Sequence, residues 1–303
     1  MLSDTVTAYI KLRHATGFKF AKSAGMLKSF AAFAEAQGDA VVRVSTALEW
    51  AALATSPQQR HQRLLLMRRF ALVVKAEDAR HEVPPVDSHG SPLRRRTPHI
   101  YTQAKISQIL RTAADLPPKG TIRPIMYTTL FGLLAATGLR ISEALALKCG
   151  DISEDGLIVR KTKFKKSRLL PLHETTWNAL AAYMSIREQH KADDDHLFIL
   201  QSGRVPVHET VRAVFIQLAI SVGLRDEQRR RGPCLHDLRH TFAVRSLEQC
   251  GRDRDDVARH MVALSTYLGH VHATGTYWYL EATPILLKQI AETAENMHQG
   301  VGQ

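Results

Sequence analysis

The stretch ATGLRISEALAL, residues 135–146, places a glycine and an arginine between two apolar runs with helical spacing. Gly138 lets the chain turn sharply, so that Arg140 is presented from a rigid frame at the start of the second run. Glu143 follows three residues later, where it shares a helical face with Arg140 and can orient or neutralise it. A surface Arg–Glu pair at a helix start would give the same pattern, so this segment alone leaves both interpretations open.

A second segment, KTKFKKSRLLPL at residues 161–172, crowds lysines onto a predicted β-turn. Short strand-like runs at 157–160 and 168–172 flank it, as in a hairpin or small sheet. Cations at a hairpin tip can contact a phosphate. A turn that only keeps the protein soluble would look the same.

The third segment, HDLRHTFAV at residues 236–244, carries two histidines and an arginine on a predicted helix. His236 and Arg239 are three residues apart and share a face. His236 and His240 are four residues apart, which is also the spacing of metal ligands. The metalloprotease pattern needs a glutamate where Asp237 stands, and no third ligand is evident, so the sequence disfavours zinc.

The fourth segment, YLGHVHATGTYWYL at residues 267–280, combines a histidine with a run of aromatic residues. It could be an aromatic core patch. Together, however, the four segments offer two arginines, a lysine on a turn, histidines and a tyrosine. Such a set can stabilise a phosphodiester transition state, protonate a leaving alkoxide and supply a covalent nucleophile without a metal.

The composition is that of a basic globular protein. A chain of 303 residues favours two domains, and its 45% hydrophobic and 23% charged residues exclude a largely disordered or collagen-like chain. The net charge of +12 is shared by both halves, which favours a polyanionic partner. The scattered Cys149, Cys234 and Cys250 predict no disulfide framework and fit a reducing cytoplasm. Neither a membrane span nor a secretory signal is predicted.

The fold class predicted is mainly α with a small antiparallel β-sheet. We expect a helical-bundle domain over residues 1–82, a basic, proline-rich linker over 83–98 and an α+β domain over 99–303 that closes with a helix at 284–297. Ser56 and Pro57 resemble an N-cap and first helical position. The other predicted helices span residues 24–37, 102–114, 124–136, 141–147, 174–189, 207–222 and 236–249.

Taken in order, the motifs resemble the tyrosine recombinases, also called phage integrase-type site-specific recombinases. The resemblance covers about residues 100–285 through TGLRISE, the lysine-rich hairpin, HDLRHTFA, and LGH followed nine residues later by a tyrosine. Counting from His270 selects Tyr279 over Tyr277. The hairpin and the TYWYL segment look like those of integrases carried by bacterial transposons and related mobile elements.

The resemblance implies a role for each matching side chain. Two arginines would bind the scissile phosphate, a lysine would protonate the 5′-hydroxyl leaving group, and two histidines would bond the phosphate or move protons. A tyrosine would form a 3′-phosphotyrosine link, and a glutamate would support the first arginine. In that order the residues are Arg140 and Arg239, Lys163, His236 and His270, Tyr279, and Glu143. The further cations expected to contact DNA are Arg94, Arg95, Arg96, Lys165, Lys166 and Arg168.

The resemblance also implies partners. A SAM-like core-binding domain at 1–82 and the catalytic domain would clamp double-stranded DNA at a specific recombination site. Four copies, alone or with related recombinases of the same element, would exchange strands through a Holliday junction. No cofactor, no metal and no membrane are implied, and the protein would be cytoplasmic and associated with the nucleoid when bound.

Two alternatives remain at this point. A type IB topoisomerase is similar in chemistry but relaxes DNA without pairing sites; the helical first domain and the TGLRISE motif favour the recombinase. An accessory DNA-binding protein with an idle active site is the other, and the complete set of residue types argues against it.

Overall fold

Two compact units make up the chain, Met1–Arg96 and Thr97–Gln303, and each is described by itself. The computed structural model describes residues 1–85, 96–160, 167–190, 192, 195–228, 232–250, 254–269, 276 and 279, and all structural statements concern these. No helix among them is long and apolar enough to cross a membrane. The domain boundaries expected from the sequence, at 82 and 98, stay a prediction.

In the first unit, the described residues form helices around an aromatic core. The Ser56 side chain accepts a hydrogen bond from the backbone N–H of Gln59, and Pro57 takes the first helical position, where no N–H is needed. Phe30 and Trp50 pack edge to face in the core, with ring centroids 5.5 Å apart. The helices are α1 (Leu2–Ala15), α2 (Ala21–Ala36), α3 (Val44–Ala52) and α4 (Pro57–Glu77).

The second unit combines helices with a small antiparallel sheet, so the predicted fold class is confirmed. The helices are α5 (Gln103–Ala114), α6 (Ile122–Thr137), α7 (Ile141–Leu145), α8 (Glu174–Arg187), α9 (His208–Ser221), α10 (His236–Glu248) and α11 (Arg254–Leu268). The strands are β1 (Ile152–Ser153), β2 (Gly156–Val159) and β3 (Arg168–Leu170), in the order β1-β2-β3. Leu157 at the centre of the sheet pairs with Ile152 on one side and Leu170 on the other.

Two of these elements were not expected from the sequence. Helix α11 lies where no helix was predicted, and β1 adds a strand of only two residues to the predicted hairpin. Val257, Met261, Leu264 and Leu268 recur in α11 at spacings of three and four, a helical signal that could have revealed it. The predicted final helix at 284–297 and the lysine turn at 161–166 lie outside the described residues.

Tyr101, near the start of the second unit, is fully buried and holds helix α10 in place. The Tyr101 hydroxyl donates to the carbonyl of Cys234, just before α10, and its backbone N–H donates to the hydroxyl of Thr241. Arg245, one turn further along α10, donates to the Tyr101 carbonyl. Because α10 also packs against α6 and α11, these bonds fix the helix whose first turns carry His236 and Arg239.

Candidate active site

The C-terminal end of α11 is the centre of the candidate site. Its carbonyl groups have no partners within the helix and carry the negative end of the helix dipole. Three arginines from three different elements donate to three successive carbonyls there. Arg168 donates to Tyr267, Arg239 and Arg140 donate to Leu268, and Arg140 also donates to Gly269.

Arg239 is the most deeply buried of the three, with 2% of its surface exposed. Its guanidinium divides between two helix ends, donating to the carbonyl of Gly138 at 2.6 Å and to that of Leu268 at 2.8 Å. Burial, and then the charge of Arg140, lower the pKa of Arg239 to about 10. Arg239 therefore stays charged at neutral pH although its side chain is almost completely buried.

Arg140 is the N-cap of α7, and its side chain keeps 30% exposure. One of its terminal nitrogens donates to a carboxylate oxygen of Glu143 at 2.8 Å, and its backbone N–H donates to the other oxygen at 3.0 Å. The turn at Gly138 and the short helix α7 thus aim a partly exposed guanidinium next to the buried Arg239.

Glu143 is the anion that holds this cluster together, with its side chain 8% exposed. Burial would raise the pKa of its carboxyl group, but hydrogen bonds from Arg168 and from the backbone of Arg140 outweigh burial and hold the pKa below its ordinary value. Glu143 is therefore a carboxylate shared by two arginines.

Arg168 differs from the expectation that it contacts DNA. Its side chain is 11% exposed, and its two terminal nitrogens donate to the two oxygens of Glu143 at 3.2 and 2.9 Å. Its remaining nitrogen, Nε, donates to the Tyr267 carbonyl at 2.7 Å. Because this geometry turns the guanidinium inward, we reassign Arg168 from DNA contact to the support of the site.

Gly138 makes the close approach of these elements possible. It ends α6 in the left-handed conformation, with φ of 61°, and a Cβ atom there would lie 2.6 Å from the Phe242 ring and 3.1 Å from Leu268. Its carbonyl is also the acceptor for Arg239. The sharp turn expected in this segment is thus required both by backbone conformation and by space.

We expect Gly138→Ala to lower the free energy of unfolding by roughly 1–3 kcal/mol, since it adds strain and overpacks the α6–α10–α11 junction. Urea unfolding of the purified protein measures this loss. Gly132→Ala, in the same helix, is the matched control: its Cβ would meet Leu110 at an ordinary 4.0 Å, and it should be neutral or stabilise by about 0.5–1 kcal/mol. Equal stability of the two variants would contradict this account.

Tyr279 lies beside the arginines and is 3% exposed. A side-chain hydrogen bond joins it to Arg239. Its ring centroid is 5.5 Å from that of His240, and it packs in an apolar cluster with α10 and α11 residues that include Leu247 and Leu264. The structure therefore brings this tyrosine to Arg239, one of the two arginines that the sequence paired with it.

The two histidines of α10 lie close to each other, and His240 lies beside Tyr279. His236 is exposed at the first position of the helix, and its ring centroid is 4.6 Å from that of His240. Asp237 is buried and accepts a hydrogen bond from the Cys234 backbone N–H, so it shapes the turn before the helix. No group of three potential metal ligands occurs within the described parts of the chain.

The structure does not place the remaining predicted site residues beside the arginines of the candidate site. Arg96 is exposed at the boundary of the two units. Those that lie outside the described residues are Arg94, Arg95, Lys163, Lys165, Lys166 and His270. Sequence reasoning missed the α11 carbonyls as anchors, because backbone acceptors leave no trace in residue identity.

The family model for the phage integrase family matches residues 100–284, the part of the chain that contains Arg140, Glu143, Arg168, His236, Arg239 and Tyr279. The chain belongs to the phage integrase family. This recombinase is 38% identical over 303 residues to an integrase/recombinase of Sinorhizobium fredii, covering 96% of each chain. It is 29% identical over 245 residues to the tyrosine recombinase XerD of Bradyrhizobium diazoefficiens, covering 76% of this chain and 73% of the relative.

The fold of the recombinase also matches a solved structure. The integrase of transposon Tn1549, in complex with transposon right end DNA, superposes with a TM-score of 0.67 at 19% identity, covering 91% of this chain and 94% of that one. Family membership decides between the alternatives that the sequence left open: the protein is a tyrosine recombinase, an enzyme of site-specific DNA recombination, rather than a topoisomerase or an inactive accessory protein.

Proposed function

We propose that this recombinase cuts and rejoins DNA through a 3′-phosphotyrosine intermediate formed by Tyr279. The observation that supports this is the hydrogen bond between the Tyr279 side chain and Arg239, next to Arg140 at the end of α11. A phenol bonded to a phosphate-binding guanidinium puts the nucleophile and the group that holds the electrophile in one place.

The arginines meet the electrostatic demand of the reaction. A phosphodiester carries one negative charge, and attack at phosphorus adds more on the non-bridging oxygens. Arg239 is held rigidly in a nearly dry position, and Arg140 keeps an exposed edge, so that both can donate to those oxygens. Preorganised donors in a water-poor site are worth far more than the same donors in water.

Each bond change has a partner in this proposal. The Tyr279 oxygen forms a bond to phosphorus and loses its proton to a histidine, for which His236 and His270 are the candidates. The bond from phosphorus to the 5′-oxygen breaks, and that oxygen takes a proton from Lys163. Rejoining reverses the steps, with a 5′-hydroxyl of the partner duplex attacking the phosphotyrosine.

The biological setting follows from the same chemistry. Exchange between two duplexes requires four strand cuts, which a tetramer supplies with one tyrosine per copy. The net charge of +12 suits a double-stranded DNA partner. Likeness to a transposon integrase supports integration, excision or transposition of a mobile element. Since DNA is the substrate, we place the protein in the bacterial cytoplasm, with the nucleoid when bound.

A suicide duplex tests the reaction. It carries the recombination site from the DNA that flanks the gene, with a nick just 3′ of the scissile phosphate, so that the released 5′-hydroxyl fragment diffuses away. We expect a covalent adduct on a denaturing gel that retains label placed 5′ of the cut and loses label placed 3′ of it. The adduct should form in EDTA and without nucleotide, because cationic side chains replace a metal. An adduct that forms only with magnesium or zinc would contradict the proposal. So would the absence of any adduct on a duplex that the protein binds.

A further inference from the structure

Arg168 is a third arginine at the site, and the role proposed for Arg140 and Arg239 does not account for its contacts. It begins β3, and its guanidinium is held by the two oxygens of Glu143 and the carbonyl of Tyr267. A carboxylate bound by both terminal nitrogens, with Nε on a third acceptor, gives every nitrogen of the guanidinium a hydrogen-bond partner. With 11% exposure, little of it remains for a ligand.

Two of the three acceptors of the Arg140 side chain lie against Arg168, and the third is the Leu268 carbonyl. The first acceptor is Glu143, whose oxygens accept from the side chain and backbone of Arg140 and from Arg168 at the same time. The second is Gly269, whose carbonyl accepts from Arg140. The Arg168 guanidinium lies directly over Gly269: a Cβ atom there would stand 2.8 Å from its terminal nitrogen. Moving Arg168 would therefore remove a hydrogen-bond partner of Glu143 and the group that packs over Gly269.

The charges of Arg140, Glu143 and Arg168 also indicate that Arg168 supports Arg140. One carboxylate between two guanidinium groups leaves a net positive charge, so Arg140 is not neutralised by its own support. Without Arg168, the charge of Glu143 would fall on Arg140 alone, and less of that cation would act on a phosphate. A lysine at 168 would restore the charge but could not fork onto the carboxylate and the carbonyl at once.

We infer that Arg168 is a positioning residue that fixes the direction and the effective charge with which Arg140 meets the scissile phosphate. This rests on the role proposed for Arg140. It gives the β2–β3 hairpin a function in phosphate binding that is separate from the lysines between its strands.

The test compares two suicide duplexes, one with an ordinary scissile phosphate and one with a neutral methylphosphonate there. The methylphosphonate lacks the negative oxygen, so it makes less demand on a cation. Single-turnover cleavage is measured for the full-length protein and for Arg140→Ala, Arg168→Lys and Arg168→Ala, together with the affinity for each duplex. On the ordinary duplex we expect Arg168→Lys to cleave about 10- to 100-fold more slowly, the loss typical of a supporting contact, with affinity within about threefold.

On the methylphosphonate duplex, the loss for Arg168→Lys should shrink to about threefold or less, as it should for Arg140→Ala. The matched control is Arg160→Ala at the same end of the hairpin, one residue beyond the Val159–Arg168 pair, where Arg160 pairs with the buried Asp151 instead of Glu143. A variant that only disturbs the hairpin should lose the same factor on both duplexes. If Arg168→Ala does not fold, Arg168→Lys decides the question.

The outcomes separate the two proposals. If Arg140→Ala is equally slow on both duplexes, the role proposed for Arg140 fails. If Arg140→Ala recovers on the neutral duplex but Arg168→Lys behaves like Arg160→Ala, then Arg168 is merely structural and this inference is overturned.

Discussion

Replacing Tyr279 by phenylalanine should abolish the covalent adduct, with cleavage falling more than about a thousandfold, because the change removes the nucleophilic oxygen. Little else is lost. The ring would still pack beside His240 and the apolar residues of α10 and α11, where Tyr279 is 3% exposed. Folding and DNA affinity should therefore stay close to those of the unaltered protein. The labelled suicide duplex measures the adduct, and a filter or gel-shift assay measures binding.

Tyr277→Phe is the control for this experiment, since Tyr277 lies two residues away in the same TYWYL segment. It should leave substantial adduct. An adduct that persists in Tyr279→Phe would refute the assignment of the nucleophile. An adduct lost only in Tyr277→Phe would mean that the assignment of the whole C-terminal segment must shift by two residues.

Arg239→Lys should have the second largest effect, slowing cleavage by roughly a hundred- to a thousandfold. A lysine has one compact, strongly hydrated ammonium group, whereas Arg239 donates to Gly138 and Leu268 from two separate nitrogens. One helix end would lose its donor, and burying an ammonium costs more than burying a guanidinium. We also expect the free energy of unfolding to fall by about 1–3 kcal/mol.

Arg245→Lys on the same helix is a suitable comparison. Arg245 also donates from two nitrogens, to the Tyr101 carbonyl and the Gln103 side chain, but makes no contact with α11 carbonyls among its described bonds. Its variant should lose stability without a comparable loss of cleavage per folded molecule. The role given to Arg239 would be wrong if both variants, corrected for the folded fraction by circular dichroism, cleaved at the same rate.

Local features of this fold could be predicted from the sequence because their causes are local. The Ser56–Pro57 helix start, the turn at Gly138 and the contact between Arg140 and Glu143 each depend on residues within a few positions of one another. Helix α11 was missed although its apolar spacing is regular, because its first turn, Arg254 to Asp256, is as polar as a loop.

Distant contacts could not be predicted in the same way. Arg168 lies 25 residues from Glu143 and 99 residues from Tyr267, so nothing near it indicates which carboxylate or carbonyl it meets. From its position on a lysine-rich hairpin, DNA contact was the natural expectation. In the fold its guanidinium turns inward and, with Arg140, compensates the buried carboxylate of Glu143.

The dependence of the arginines on α11 has a consequence for protein synthesis. Arg140 and its acceptor Leu268 are 128 residues apart, and Arg239 and Gly138 are 101 apart. At about 5–20 residues per second, a ribosome that has added Arg140 needs roughly 6–26 s more to reach Leu268. Until then the α11 carbonyls that accept from Arg140 and Arg239 are missing, and Arg239 has only the carbonyl of Gly138. A chain that ends before that point therefore lacks the carbonyls that hold Arg140 and Arg239 side by side, so we expect truncated copies not to cleave DNA.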